Sequence, residues 1–107
     1  MTSRVDIPTT TGYGVAMHAT VDVSPAGISR VATRRRDIPL QAVRRVHVFI
    51  DANGDDGIVV RSTIFRFVYV SREHLADAKV RTGLRRLVEQ VRSHAQVDAD
   101  VHRLLAA

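Results

Sequence analysis

The sequence has no cysteine and no tryptophan. The absence of thiols excludes a disulfide scaffold, a thiolate zinc site and a cysteine nucleophile. Lysine is almost missing too, since 15 of the 16 cationic residues are arginine and only Lys79 is lysine. Glutamate occurs only at Glu73 and Glu89, both on the exposed part of an expected helix, so general acid–base chemistry by glutamate has little to draw on. Aromatics are few: Tyr13, Phe49, Phe65, Phe67 and Tyr69. No stretch approaches the ~18–20 consecutive apolar residues of a spanning helix. The segment from Met1 to Gly14 is polar and lacks the apolar core of a secretory signal; with no spanning helix either, the default expectation is a soluble, cytoplasmic protein.

What is present is 107 residues, enough for one domain with a modest core. Hydrophobic residues make up 45% and charged residues 25%, the ordinary composition of a globular chain. The net charge of +5 marks a basic protein and permits an acidic partner. A charge of that size also serves solubility alone.

Val15 to Val23 alternates with a period of two, placing Val15, Met17, Ala19, Val21 and Val23 on one face of a half-buried strand. Ser24-Pro25-Ala26-Gly27 has the residues of a tight turn, and Ile28 to Thr33 is then the returning strand. The alternative for this stretch is a short helix capped by Ser24, with Pro25 in its first position. Arg34 to Asp37 reads as a charged loop, and Arg44 to Asp51 alternates again. Ala52 to Gly57 is a turn, and Ile58 to Val70 is β-prone but too long for one strand, which predicts a bend near Ser62 and Thr63.

From Ser71, a possible N-cap, a helix is expected over Arg72 to Ala95. Val80, Leu84, Leu87, Val88, Val91 and Ala95 form its apolar stripe, with Asp77–Arg81 and Arg85–Glu89 at i,i+4 spacing. The fold class is therefore α+β, mostly β: a small antiparallel sheet or roll closed by one C-terminal amphipathic helix. The expected organisation is a flexible segment over 1–14, a single domain over 15–95, and a tail or short helix over 96–107.

Between Val21 and Val46 the chain resembles the bacterial pleckstrin-homology-like (PH-like) families, especially the short versions common in actinobacteria. The matching features are Val21-Asp22-Val23-Ser24, a turn closing on Gly27-Ile28, a basic stretch, and Ile38-Pro39-Leu40 followed by Val43 and Val46. The resemblance implies a roll with a closing helix and a non-catalytic module that binds a protein, or less often a lipid. Five or six strands are countable against the seven of a full PH fold. Phosphoinositide-binding members carry basic residues between their first two strands, where this chain reads Ser24-Pro25-Ala26-Gly27. The loop charges thus do not support anionic lipid as the partner. If Pro25 to Arg36 were helical, the order β-α-β-β-α would instead be similar to ribosome-associated hibernation factors.

The densest basic cluster is Arg30, Arg34, Arg35, Arg36, Arg44 and Arg45, whose guanidinium forks suit phosphate contacts but also suit a solvated rim. Alternation places Phe65, Phe67 and Tyr69 on one strand face, expected to be core rather than a base-stacking platform. Asp51 to Ile58 has part of a calcium-loop pattern, but Asp56 and Ser62 occupy the positions that require glycine and glutamate, so a hairpin turn is expected. None of the five histidines has metal-helix spacing, and His18 and Asp22 stand too far apart along a strand for catalysis. No catalytic residue, cofactor site or metal site is expected. The leading expectation is a scaffolding module acting through protein contact or self-association as a homodimer. The competing one is an RNA or ribosome binder using the arginine cluster.

Overall fold

The alternation of the first apolar stretch becomes an extended strand whose buried face carries Ala19, Val21 and Val23, with Thr20, Asp22 and Ser24 half-buried opposite. The computed structural model describes the backbone of residues 3–10, 16–32 and 34–106, and the side chains of 19–32 and 34–106. It contains β1 (Ser3–Thr10), β2 (Ala16–Ser24), β3 (Gly27–Val31) and β4 (Arg35–Pro39), followed by a single 3-10 turn over Leu40–Ala42. β5 (Arg45–Ile50), β6 (Asp56–Arg61) and β7 (Phe67–Val70) come next. Then follow α1 (Arg72–Leu75), α2 (Ala78–Val91), β8 (Gln96–Val97) and α3 (Ala99–Leu105). The strands form two sheets, ordered β1-β2-β3-β4 and β7-β6-β5-β8, with every pair antiparallel except β5–β8. The α+β, mostly β class with a closing C-terminal helix therefore holds.

The turn between β2 and β3 settles the hairpin against the helix. Ser24 pairs with Gly27, and the Ser24 hydroxyl accepts from the Ala26 amide at 3.2 Å. Gly27 has φ +151°, and a Cβ there would stand 2.2 Å from the Ile38 carbonyl oxygen, so no side chain fits. A strand over Gly27–Val31 removes the helix on which the β-α-β-β-α order depended.

Three further expectations change. Within the segment over 1–14, expected to be flexible, Ser3–Thr10 is a strand that pairs with β2, with Val5 opposite Val21 and Ile7 opposite Ala19, while 1–2 and 11–14 lie outside the described residues. Pro8 is compatible with this position because β1 is the edge of its sheet. The connection between the first two strands is thus residues 11–15, outside the described residues, and Ser24 to Gly27 joins the second strand to the third. The charged loop at Arg34 to Asp37 is mostly strand: Ile38 is buried opposite Ile28, and the charged residues before it suit an exposed sheet edge.

The helix expected over Arg72 to Ala95 is broken at Ala76 and Asp77. Asp77 starts α2 afresh by accepting from the Lys79 amide at 2.7 Å, and α2 ends at Val91. Neither i,i+4 pair forms. Arg81 donates to the Leu75 carbonyl and Arg85 to the Leu105 carbonyl, both at 2.7 Å, while Glu89 bonds Arg92. Ala95 lies beyond the helix end and is half-buried, while from Val80 to Val91 the apolar stripe is as expected, with Val80, Leu84, Leu87, Val88 and Val91 buried. They join valines and isoleucines of both sheets, and Val101 and Leu105 of α3, in one core. The tail is therefore a packed short helix.

Ser71 stands at the α1 N-cap, but its hydroxyl does not cap; it lies 2.9 Å from His74 Nδ1. His74 is fully buried, and its Nε2 donates to the Ala19 carbonyl at 3.0 Å. Because a carbonyl only accepts, Nε2 carries the proton, and Nδ1 shares its hydrogen bond with the Ser71 hydroxyl. The imidazole thereby fastens α1 to β2. His74→Ala should lower the unfolding free energy by about 3 kcal/mol and Ser71→Ala by about 1 kcal/mol, because the first strands two buried groups and the second one. Urea denaturation checks both values, and equal losses would contradict the pairing.

Candidate functional site

β6 and β7 are cross-strand neighbours joined by a bend at residues 62–66, as the length of the β-prone run requires. Their register pairs Ile58 with Val70 and Val60 with Val68 on the core face. Arg61 with Phe67, and Val59 with Tyr69, therefore share the opposite face. The expectation that Phe65, Phe67 and Tyr69 form core is overturned. The aliphatic side chains of α2 and the valines of β7 already fill the interior, leaving Phe67 and Tyr69 half-buried on the outer face. Phe65 lies in the bend rather than in a strand, and it is 85% exposed beside Ile64 at 76%.

The outer aromatics are held by specific contacts. A Cβ at Gly57 would stand 2.5 Å from Tyr69 Cε1, so the tyrosine ring lies over the bare backbone of β6. Phe49 meets Tyr69 edge-on, with centroids 5.7 Å apart and planes at 79°. The guanidinium carbon of Arg61 lies 4.7 Å from the Phe67 centroid, and that of Arg36 lies 5.8 Å away. Such cation–π contacts contribute about 0.5–1 kcal/mol each at exposed positions.

The same arginines fix the bend. Arg61 Nη1 donates to the Ile64 carbonyl at 2.7 Å and to the Thr63 carbonyl at 3.3 Å, while Arg36 Nη1 donates to the Phe65 carbonyl at 3.2 Å. Arg66 Nη2 donates to the Asp37 carbonyl at 2.8 Å, and the Arg66 amide donates to Thr63 Oγ1 at 3.0 Å. Three consecutive carbonyls are thus held from the protein side, and Ile64 and Phe65 are presented outward.

Of the six arginines singled out in the sequence, Arg30, Arg34 and Arg36 come together. With Ala32, Phe67 and Tyr69 they line a cavity of about 140 Å³. The other three are elsewhere. Arg35 is ion-paired with Asp37 at 2.9 Å, Arg44 donates to the Gln41 and Val43 carbonyls, and Arg45 is ion-paired with Asp98 at 2.8 Å. Arg61, Arg66 and the stacking role of Phe67 are absent from the sequence reading. Once the bend is placed at residues 62–66, Arg61 and Phe67 become neighbours, so the bend was the available signal.

Charge within this face is uncompensated. Among the described residues, none of Arg30, Arg34, Arg36, Arg61 or Arg66 forms an ion pair. Arg30 Nε and the Tyr69 hydroxyl are both buried without a hydrogen-bond partner. Burial pushes the Arg30 guanidinium below its ordinary value, with the Tyr69 interaction opposing. Burial also raises the Tyr69 phenol, as do Asp51, Glu73 and Asp55, while Arg30 lowers it.

The remaining candidates have structural roles. Asp51 Oδ1 accepts from the Asn53 and Asp55 amides at 2.9 and 3.0 Å, and Gly54 takes φ +81°, which is a turn as expected. Among the described residues no group of three or more His, Asp or Glu is placed to hold a metal. The Ser71–His74 pair has hydroxyl–imidazole geometry, but both side chains are buried and the second ring nitrogen is committed to Ala19. The side chain of His18 is outside the described residues. Among the described residues no helix is long and apolar enough to cross a membrane.

No protein-family model matches the chain, and no similar curated protein or solved structure was found.

The Arg45–Asp98 pair connects β5 to the start of α3 and has a defined pH signature. The Arg45 hydrogen bond holds the Asp98 carboxyl below its usual range, and the same bond raises Arg45. A folded value below the unfolded one means the contribution is full above the ordinary carboxylate range and lost as pH falls through the folded value. Asn caps helices as well as Asp does, and the Asp98 side chain makes no cap bond here, so Asp98→Asn isolates the ion pair. The Tm of Asp98→Asn should fall below wild type at about pH 7, and the gap should narrow as pH falls below the ordinary carboxylate range. A gap independent of pH would contradict the pair's role.

Proposed function

We propose that the chain is a non-catalytic PH-like binding module that acts through protein contact at the bend between β6 and β7. Two four-stranded sheets support the PH-like reading, since seven strands precede the amphipathic helix as in that family's pattern, although a two-residue eighth strand and a short helix follow it here. The observation that carries the contact reading is the bend itself. Ile64 and Phe65 are more than three-quarters exposed, yet their backbone carbonyls are held by Arg61 and Arg36. A fixed backbone lowers the entropy lost on binding, and an exposed aromatic beside arginines has the composition of an interface anchor.

Unpaired arginines also favour a second reading, in which the same face binds RNA or a ribosome through phosphate contacts. Against it, two guanidinium groups already lie over Phe67, the ring best placed among the arginines to stack on a base.

Affinity capture from a cell extract, with and without nuclease, separates the readings. The contact reading predicts a stoichiometric, nuclease-resistant protein whose affinity falls about thirtyfold for Ile64→Ser/Phe65→Ser. The double variant should keep the wild-type circular dichroism and Tm, because neither side chain is buried. A self-association that the variant abolishes in sedimentation velocity identifies the partner as a second copy. Retention that survives the substitutions, or disappears with nuclease and between about 50 and 200 mM salt, overturns protein contact.

A further inference from the structure

We infer that the cavity between the β3–β4 hairpin and β7 binds an oxyanion of the phosphate-monoester type. Among the described residues, every charged group lining it is cationic: Arg30, Arg34 and Arg36. They come from a cross-strand pair, Arg30 opposite Arg36, and from the turn between the same two strands, so the backbone register itself sets them side by side. Like charges at directly opposed positions are destabilising, and the arrangement persists here without a described carboxylate to offset it. The Arg30 Nε–H is buried with no acceptor. A buried donor left unsatisfied is costly, and an anion in the cavity supplies both the missing acceptor and the missing charge.

The geometry selects the ligand class. Guanidinium groups present planar donor forks that match the oxygens of phosphate. Arg36 is already positioned by the Phe65 carbonyl and by the Phe67 ring. A volume of about 140 Å³ suits a phosphate group with a small part of its ester. Phe67 and Tyr69 supply an apolar wall for the first atoms of that ester. None of these residues belongs to the connection between the first two strands. The site does not include the Ile64 and Phe65 side chains, although Arg36 also holds the Phe65 carbonyl, and its test requires no macromolecule. Failure of the anion site therefore leaves protein contact at the bend intact, and the reverse is equally true.

Inorganic phosphate is the first probe, followed through the arginine Nε–H and tyrosine ring resonances of the full chain, with chloride at matched ionic strength as the control. Saturable shifts of Arg30 Nε–H are expected, with half-saturation at about 1 mM or tighter. Affinity should fall at least about tenfold in Arg36→Gln, an exposed position, and in Arg30→Gln, with circular dichroism confirming that each variant is folded. Phosphatidylcholine vesicles containing phosphatidic acid provide the second arm. Sedimentation with them that phosphate competes away assigns the monoester to a lipid headgroup. Phosphate binding without sedimentation assigns it to a soluble ester. Shifts that chloride reproduces, that do not saturate, or that persist unchanged in Arg36→Gln overturn the inference.

Discussion

Side chains in a strand alternate between faces, so a single choice of phase at β7 distributes everything around it. Val68 and Val70 face the interior, and each is essentially inaccessible to solvent. Phe67 and Tyr69 must then face outward, opposite Arg61 and Val59. Reversing the phase would bury two aromatic rings in a space already filled by Leu84, Leu87 and the β6 isoleucine and valine, and would expose two valines. The outward rings in turn give guanidinium groups a surface to lie on, and the cavity at the β3–β4 turn exists because β7 forms one of its walls.

The predominance of arginine over lysine has a physical explanation in the same contacts. Arg36, Arg44, Arg61, Arg66, Arg81 and Arg85 each donate to a backbone carbonyl, most of them in bends or at helix ends where no amide is available. A planar fork can hold a carbonyl while its flat side rests on a ring or its stem packs on the surface, which a single ammonium cannot reproduce. Much of the +5 charge therefore accompanies a structural role. Among the described residues, Arg30, Arg34, Arg36, Arg61 and Arg66 are the arginines without an ion pair that surround the β3–β4 turn and the bend, and Arg36, Arg61 and Arg66 also hold backbone carbonyls there.

The strands and the helix stripe were legible because their apolar residues follow one period each. The alternation of β2, the turn at Ser24 to Gly27, and the stripe from Val80 to Val91 are where the residue pattern places them. β4 was not legible, since its pairing rests on backbone bonds and one buried isoleucine, and its charged residues carry no alternation. The break at Asp77 was hidden because the same aspartate fits both an i,i+4 pair and an N-cap, and the cap prevails locally. Half of the candidate site was visible as arginine density. The other half required the register of β6 on β7, which depends on which residues the bend consumes.

The central claim is the phase of β7, and nuclear Overhauser contacts from the Phe67 ring test it most directly. The account predicts cross-peaks from that ring to the δ-protons of Arg61 and Arg36, with the Val68 and Val70 methyls contacting only other core methyls and backbone. Cross-peaks from the Phe67 or Tyr69 rings to the Leu84 and Leu87 methyls would contradict it, and with it the arginine face and the cavity built upon that face.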